Sequence, residues 1–196
     1  MASEFSRDWT GPLQATFNDV LRSLCGQPLR FLEVGVYEGR GACWLLDRVL
    51  THQESRYVGI DCWPTTMRYY QGNSELVKAR AYHNLAGFNL QCGYQKATIV
   101  EQASSAGLIQ VLADFGPASF DVVYIDGDHT KLQCMIDTAL AWPLLRVGGH
   151  LIWDDFLMQP PPEYDVRSAA CLFLVLMAGE LEVLKTGHQV IVRRTA

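Results

Sequence analysis

Hydrophobic and polar positions follow two rhythms along this chain: short unbroken apolar runs, and longer stretches with an apolar residue at every third or fourth position. The first rhythm reads as buried strands of a parallel sheet and the second as helices laid against it. Strands are expected at Arg30–Gly35, Arg56–Cys62, Ala97–Glu101, Phe120–Asp126 and His150–Trp153. Ahead of them, Leu13, Phe17, Val20, Leu21 and Leu24 share one helical face, opened by Thr10-Gly11-Pro12 and closed by Gly26. Further helices are expected from about Gly41 to Leu50, from Ser74 to about Asn84, and along the stripe Leu132, Met135, Ile136, Ala139 and Leu140. Leu145–Gly149 reads as a turn, Ala169–Gly179 as a buried helix, and Glu182–Leu184 with Val190–Arg193 as an antiparallel pair. Strands alternating with helices predict an α/β fold with a mainly parallel sheet covered on both faces.

No repeat or linker divides the 196 residues, so one domain is expected over 1–196, with 1–29 as an N-terminal helix and 30–196 as the core. The net charge of -5 and the scattered Lys and Arg exclude the basic stripe of a nucleic-acid surface. Residues 1–10 carry charge and have no apolar core, so no signal peptide is read there. The greasiest stretch, 169–179, falls short of the about 20 apolar residues that cross a bilayer, and is expected to be buried or to cover a partner in a homodimer. The six cysteines form no C-x-x-C pair and mostly lie in apolar segments, which fits reduced, buried thiols in the cytoplasm better than disulfides or zinc.

The segment Phe31–Gly41, FLEVGVYEGRG, organises the rest. A buried strand that meets glycines at 35, 39 and 41 and then enters a helix places a turn at the C-terminal edge of an open α/β sheet, where ligands bind. The order E-x-G-x-x-x-G lacks the pyrophosphate fingerprint of dinucleotide enzymes, and Glu33 suits a cationic or amino-bearing ligand better than a phosphate. Asp61, at the end of the next strand, is placed to accept the hydroxyls of a ribose. The aromatic and polar segment Trp63–Asn73 then reads as a lid or substrate loop, and Ser104-Ser105 offer hydroxyls to an adenine edge.

Two more strands end in acids. Asp126, Asp128 and His129 follow one, and Asp154 and Asp155 follow the other. Carboxylates converging at one sheet edge repel one another unless protonated or neutralised by a cation. Oxygen ligands without cysteine point to a hard metal such as magnesium, with manganese or calcium as alternatives. The competing explanation is a set of solvated acids capping helices. His129 and Asp128 both stand where a base would remove a proton from a hydroxyl, and that choice stays open. Glu38, Glu163 and His150 are further acids or bases with no spacing argument behind them.

Together FLEVGVYEGRGACWLL (31–46), VGIDCW (58–63), FDVVYIDGDH (120–129) and WPLLRVGGHLIWDDF (142–156) resemble the small bacterial class I methyltransferases related to macrocin and mycinamicin O-methyltransferases. Catechol O-methyltransferase is a more distant relative with the same metal logic. The resemblance implies a Rossmann-like three-layer sandwich with a mainly parallel seven-stranded sheet and an antiparallel C-terminal strand, binding S-adenosylmethionine (SAM). It places Gly35, Val36, Tyr37 and Gly39 at the methionine half with Glu33 supporting the glycine turn, Asp61 at the ribose with Cys62 and Trp63 beside it, and Ala103 and Ser104 at the adenine, with Asp126 nearby. It also implies a magnesium ion on Asp126, Asp154 and Asp155, His129 or Asp128 as base, and transfer of a methyl group to a hydroxyl of a sugar, catechol or polyketide-type small molecule. The chain departs at Gly41, where relatives often carry serine. Two alternatives are a SAM- or S-adenosylhomocysteine-binding protein without catalysis and a metal-independent methyltransferase. A hydrolase or other metal enzyme on the same scaffold is a third.

Overall fold

The computed structural model describes residues 3–63, 73–158 and 164–196. In chain order these build α1 (Gly11–Asp19), β1 (Arg30–Val34), α2 (Arg40–Arg48), β2 (Arg56–Asp61), α3 (Ser74–Cys92), β3 (Ala97–Glu101), α4 (Ser104–Phe115), β4 (Phe120–Ile125), α5 (Lys131–Ala141), β5 (Leu145–Trp153), α6 (Val166–Leu176), β6 (Leu181–Thr186) and β7 (Val190–Arg194). One seven-stranded sheet runs β3-β2-β1-β4-β5-β7-β6. The first five strands are parallel; β7 lies antiparallel to both β5 and β6. Among the described residues no helix is long and apolar enough to cross a membrane.

Side chains alternate across the sheet and divide the core in two. Leu32, Val34, Val123, Ile125, Leu151 and Trp153 face a layer made by α4, α5 and α6. Phe31, Tyr57, Val122, Tyr124 and Ile152 face the opposite layer of α1, α2 and α3. The register aligns Ile60, Val34, Ile125 and Trp153 across β2, β1, β4 and β5. The residue that follows each is Asp61, Gly35, Asp126 and Asp154, so one sheet edge receives all four. The strand order reverses beside β1, which opens a crevice there between helix layers.

Several expectations need correction. The first helix stops at Asp19 and resumes only as a 3-10 turn at Arg22–Leu24. The second is that α3 runs on to Cys92 instead of ending near Asn84, because the Asn89 side chain ties the helix to the main chain of Lys96 and Ala97 and Gly93 closes it with a φ of 72°. Leu145–Gly149 belongs to β5, with an irregularity in its pairing to β4, rather than to a turn. The cysteines are also less buried than expected: none is paired, and only Cys43 and Cys134 are buried while Cys62 and Cys171 are exposed.

The face of α5 is the most instructive difference. Leu132, expected to be buried, is 72% exposed, and Ala139 is exposed with it. The helix turns Cys134, Asp137, Thr138 and Ala141 inward instead. Buried hydrogen bonds explain this rotation. The Trp153 indole N–H donates to Thr138 Oγ1 (2.9 Å), and Gln133 Nε2 donates to Asp137 Oδ1 (2.8 Å). Polar groups with partners are tolerated in a core, whereas the indole without one is costly. Thr138→Val is therefore expected to destabilise the fold by about 1–3 kcal/mol in urea denaturation. A variant as stable as the parent would show that the indole is satisfied elsewhere.

Candidate functional site

A cleft of about 830 Å³ opens over the C-terminal ends of β1, β2, β4 and β5. Its size lies within the range of small-molecule sites. Glu33, Gly35, Val36, Tyr37, Asp61, Cys62, Ala103, Ser104, Asp126, Asp128, His129, Asp154 and Asp155 all line it. Gly39 and Trp63 stand behind its wall. Gly39, with a φ of 75°, precedes α2 and backs onto Ala81 and Leu85 of α3. Trp63 is 3% exposed, and its indole donates to the Tyr37 carbonyl at 2.8 Å. Most of the anticipated lid Trp63–Asn73, residues 64–72, lies outside the described residues, as does Glu163.

At Gly35 the φ is 94°, and a Cβ there would lie 2.0 Å from the Asp126 carbonyl. No side chain fits, and the backbone floor of the cleft depends on its absence. The following turn is held from beneath by Asp61. One carboxylate oxygen accepts the amides of Val36 and Tyr37, both at 2.9 Å, and the other accepts the Trp63 amide at 2.8 Å. These bonds hold Tyr37 and Trp63 at φ values of 54° and 43°, conformations that ordinary residues rarely adopt. Asp61 thus fixes the loop as well as facing the cleft, a structural task that its place at a strand end did not reveal.

Glu33 is buried beneath this loop and accepts the Tyr57 hydroxyl. Burial pushes its pKa up to about 8, against the Tyr57 hydrogen bond and with the charges of Asp126, Asp61 and Asp154. A carboxyl that binds a proton more tightly when folded stabilises the fold at low pH, and that contribution is lost as pH climbs through the folded value. The thermal midpoint of the metal-free protein is expected to fall between pH about 5 and about 8. Glu33→Gln, which can still accept from Tyr57, should flatten that slope; an unchanged slope would assign it to other groups.

The acids gather at the far end of the cleft. Asp126 is pushed up to about 7, first by burial and then by the charge of Asp154. Asp155, held at a φ of 56°, is raised for the same two reasons. His129 Nε2 lies 3.5 Å from both Asp126 and Asp155. Burial pulls its pKa down, but the hydrogen bond to Asp126 and the charges of Asp126, Asp155 and Asp154 outweigh it, leaving the imidazole raised. Asp154 accepts the Tyr124 hydroxyl on one oxygen and the Asp155 amide (2.9 Å) on the other. Asp128 accepts the Thr130 amide at 2.7 Å where α5 begins.

Donor atoms from Asp126, His129 and Asp155 all lie within 4.8 Å of one another, as do those from Asp154, Asp155 and His188. Crowded hard oxygens, with Asp126 and Asp155 raised by burial and then by the charge of Asp154, make a donor set that suits a divalent cation. Glu38 and His150 have other tasks. Glu38 is clasped by the Ser6 amide and by Arg80, both at 2.6 Å. His150 sits within β5, where burial and the charges of Arg146 and Arg193 take its pKa down to about 4.

Three parts of the site carried no sequence signal. Residues 7–13 line the cleft, with Trp9 packed on Tyr37 at 5.0 Å between ring centres. Gln133 on α5 donates to Ser104 (3.1 Å) and Ser105 (2.7 Å), linking the rim to the helix. His188, on the β6–β7 turn, lies 3.3 Å from Asp154. Periodicity could not find these, since each reaches the cleft only through tertiary packing.

A family profile described as a methyltransferase domain matches residues 32–156. An uncharacterised protein of Acanthamoeba polyphaga mimivirus is 25% identical over 128 residues, 65% of this chain and 52% of that protein. The chain thus spans about half the length of that relative. An O-methyltransferase from Bacillus cereus, solved in complex with S-adenosylhomocysteine, superposes with a TM-score of 0.66 at 19% identity, covering 99% of this chain and 84% of that one. The MycE methyltransferase of the mycinamycin biosynthetic pathway, solved with Mg and S-adenosylhomocysteine, gives 0.60 at 16% identity, covering 98% and 51%. These likenesses to solved structures are likenesses of fold.

Proposed function

From the premise that the chain belongs to the methyltransferase-domain family, we propose that it transfers the methyl group of SAM to a hydroxyl of a small molecule with the help of a divalent metal. One observation carries this reading: a single cleft runs from the turn at Gly35 to the acids Asp126, Asp154 and Asp155. A methyl donor and an ion-bound acceptor need that adjacency. The neighbours solved with S-adenosylhomocysteine, and with Mg, support the choice of ligands.

When bound, SAM supplies a sulfonium methyl group and the divalent ion lowers the pKa of the acceptor hydroxyl. The protein's part is positioning and proton transfer. Gly35 lets the backbone approach the ligand, and Asp61 holds the Val36–Tyr37 amides in place. Ala103 and Ser104 border the adenine end of the cleft. Asp126, Asp154 and Asp155 would hold the ion, whose charge would relieve their repulsion. His129 takes the acceptor proton. It is favoured over Asp128, whose carboxylate is engaged in the turn that starts α5. Alignment of oxygen and methyl carbon within the cleft supplies much of the acceleration. A small-molecule acceptor with two neighbouring oxygens, such as a sugar or catechol, fits the site, and the unpaired cysteines fit a cytoplasmic setting.

Calorimetry with SAM, followed by transfer of labelled methyl to a panel of vicinal diols with and without Mg2+, tests the reading. SAM binding without transfer to any hydroxyl acceptor would reduce the protein to a nucleotide-binding module. His129→Ala is expected to lower turnover by about 10²–10⁴-fold while leaving SAM affinity nearly unchanged. Unaltered turnover would move the base to Asp128 or to solvent.

A further inference from the structure

Building on the metal-dependent reading, we infer that His188, on the turn between β6 and β7, is a nitrogen ligand of the divalent ion alongside Asp154 and Asp155. Its Nδ1 lies 3.3 Å from Asp154 Oδ1 and its Nε2 lies 3.6 Å from Asp155 Oδ1. Each of the three side chains offers a donor atom within 4.8 Å of the others, the spacing that one ion can span. The ring touches the two acids through different nitrogens. A neutral imidazole therefore keeps a lone pair on one of them for a metal while the other donates a hydrogen bond.

The position of this histidine is built rather than incidental. Its carbonyl accepts the Phe156 amide at 2.9 Å, fastening the turn to the chain that has just left Asp155. Two residues on, Val190 pairs with Trp153, which directly precedes Asp154. Between them Gln189 is buried and donates to the Tyr124 hydroxyl at 3.2 Å, the same hydroxyl that is donated to Asp154. The backbone around His188 is thus registered to Asp154 from both sides. The side chain itself is 52% exposed, so it can rotate toward an ion without unpacking the core.

His129 differs in kind. It presents the one atom Nε2 to both Asp126 and Asp155 at 3.5 Å, and its ring meets Tyr164 edge-on. That arrangement suits a proton-carrying group, whereas His188 suits coordination. An imidazole added to carboxylate oxygens moves a site's preference away from Mg2+ and toward first-row transition ions. The ion expected here is Mn2+ or a later divalent metal in preference to Mg2+.

The full chain loaded with Mn2+ tests this by pulsed electron paramagnetic resonance, which reads nitrogen coupled to the metal, and by Mn2+ titration. Nitrogen modulation is expected in the parent protein and in His129→Gln. It should be lost in both His188→Gln and His188→Ala, with Mn2+ affinity about 10-fold or more weaker and Mg2+ affinity less affected. Mn2+ bound without nitrogen coupling, or coupling that survives both His188 substitutions or vanishes in His129→Gln, would overturn the assignment and leave the metal reading intact. Failure of the parent protein to bind Mn2+ at all would overturn both.

Discussion

Gly35→Ala is expected to abolish SAM binding in calorimetry and to cost more than about 3 kcal/mol of stability. Two effects add at this position. A φ of 94° is strained for any residue with a Cβ, and that Cβ would sit 2.0 Å from a main-chain oxygen of Asp126. A flexible side chain could move aside, but the obstacle is the backbone that leads into the acid cluster. β1 and β4 would have to separate, breaking the bond from the Asp126 amide to the Val34 carbonyl (2.8 Å). The damage should therefore reach both ends of the cleft. An alanine variant that melts like the parent and binds SAM would show that the turn relaxes at little cost and is not the ligand's floor.

Chelation should have the second large effect. EDTA is expected to bring methyl transfer to background, and added Mg2+ or Mn2+ to restore it. Asp154→Asn should remove most of the restored activity, by about 100-fold or more, beyond the loss typical of an outer-shell partner. The argument rests on charge. Asp126, Asp154 and Asp155 crowd the C-terminal ends of β4 and β5, and the pKa of Asp126 rises to about 7 with burial and the charge of Asp154. An asparagine at 154 preserves shape and can still accept the Tyr124 hydroxyl, so the fold should persist while the ion is held less tightly. Full turnover in EDTA, or an Asp154→Asn variant as active as the parent, would remove the metal from the mechanism.

Much of this architecture is legible from local pattern. A strand buried on both faces must be apolar, so FLEV, YVGI and FDVVYI mark the central sheet, and the Gly or Asp that ends each run marks its edge. Helices proved harder. In α3, the contacts of Asn89 with Lys96 and Ala97 at the start of β3 carried the helix past the expected end. For α5, the apolar stripe pointed one way, but the buried Trp153 indole and the Asp137–Gln133 pair turned the helix another. Apolar periodicity records what can be buried, while hydrogen bonds inside the core decide which of several faces is buried.

By itself, then, the sequence determined that β1, β2, β4 and β5 exist and that Gly35, Asp61, Asp126 and Asp154 follow them, because strand burial and chain termination are local properties. Parallel strands already put these four residues at one sheet edge; only the tertiary structure fixed their row, through the register that aligns Ile60, Val34, Ile125 and Trp153. It alone brought Trp9, Gln133 and His188 to the same cleft from the chain's beginning, a helix and the final hairpin. No spacing along the chain encodes such meetings; they arise when sheet order and helix packing close distances that sequence leaves open.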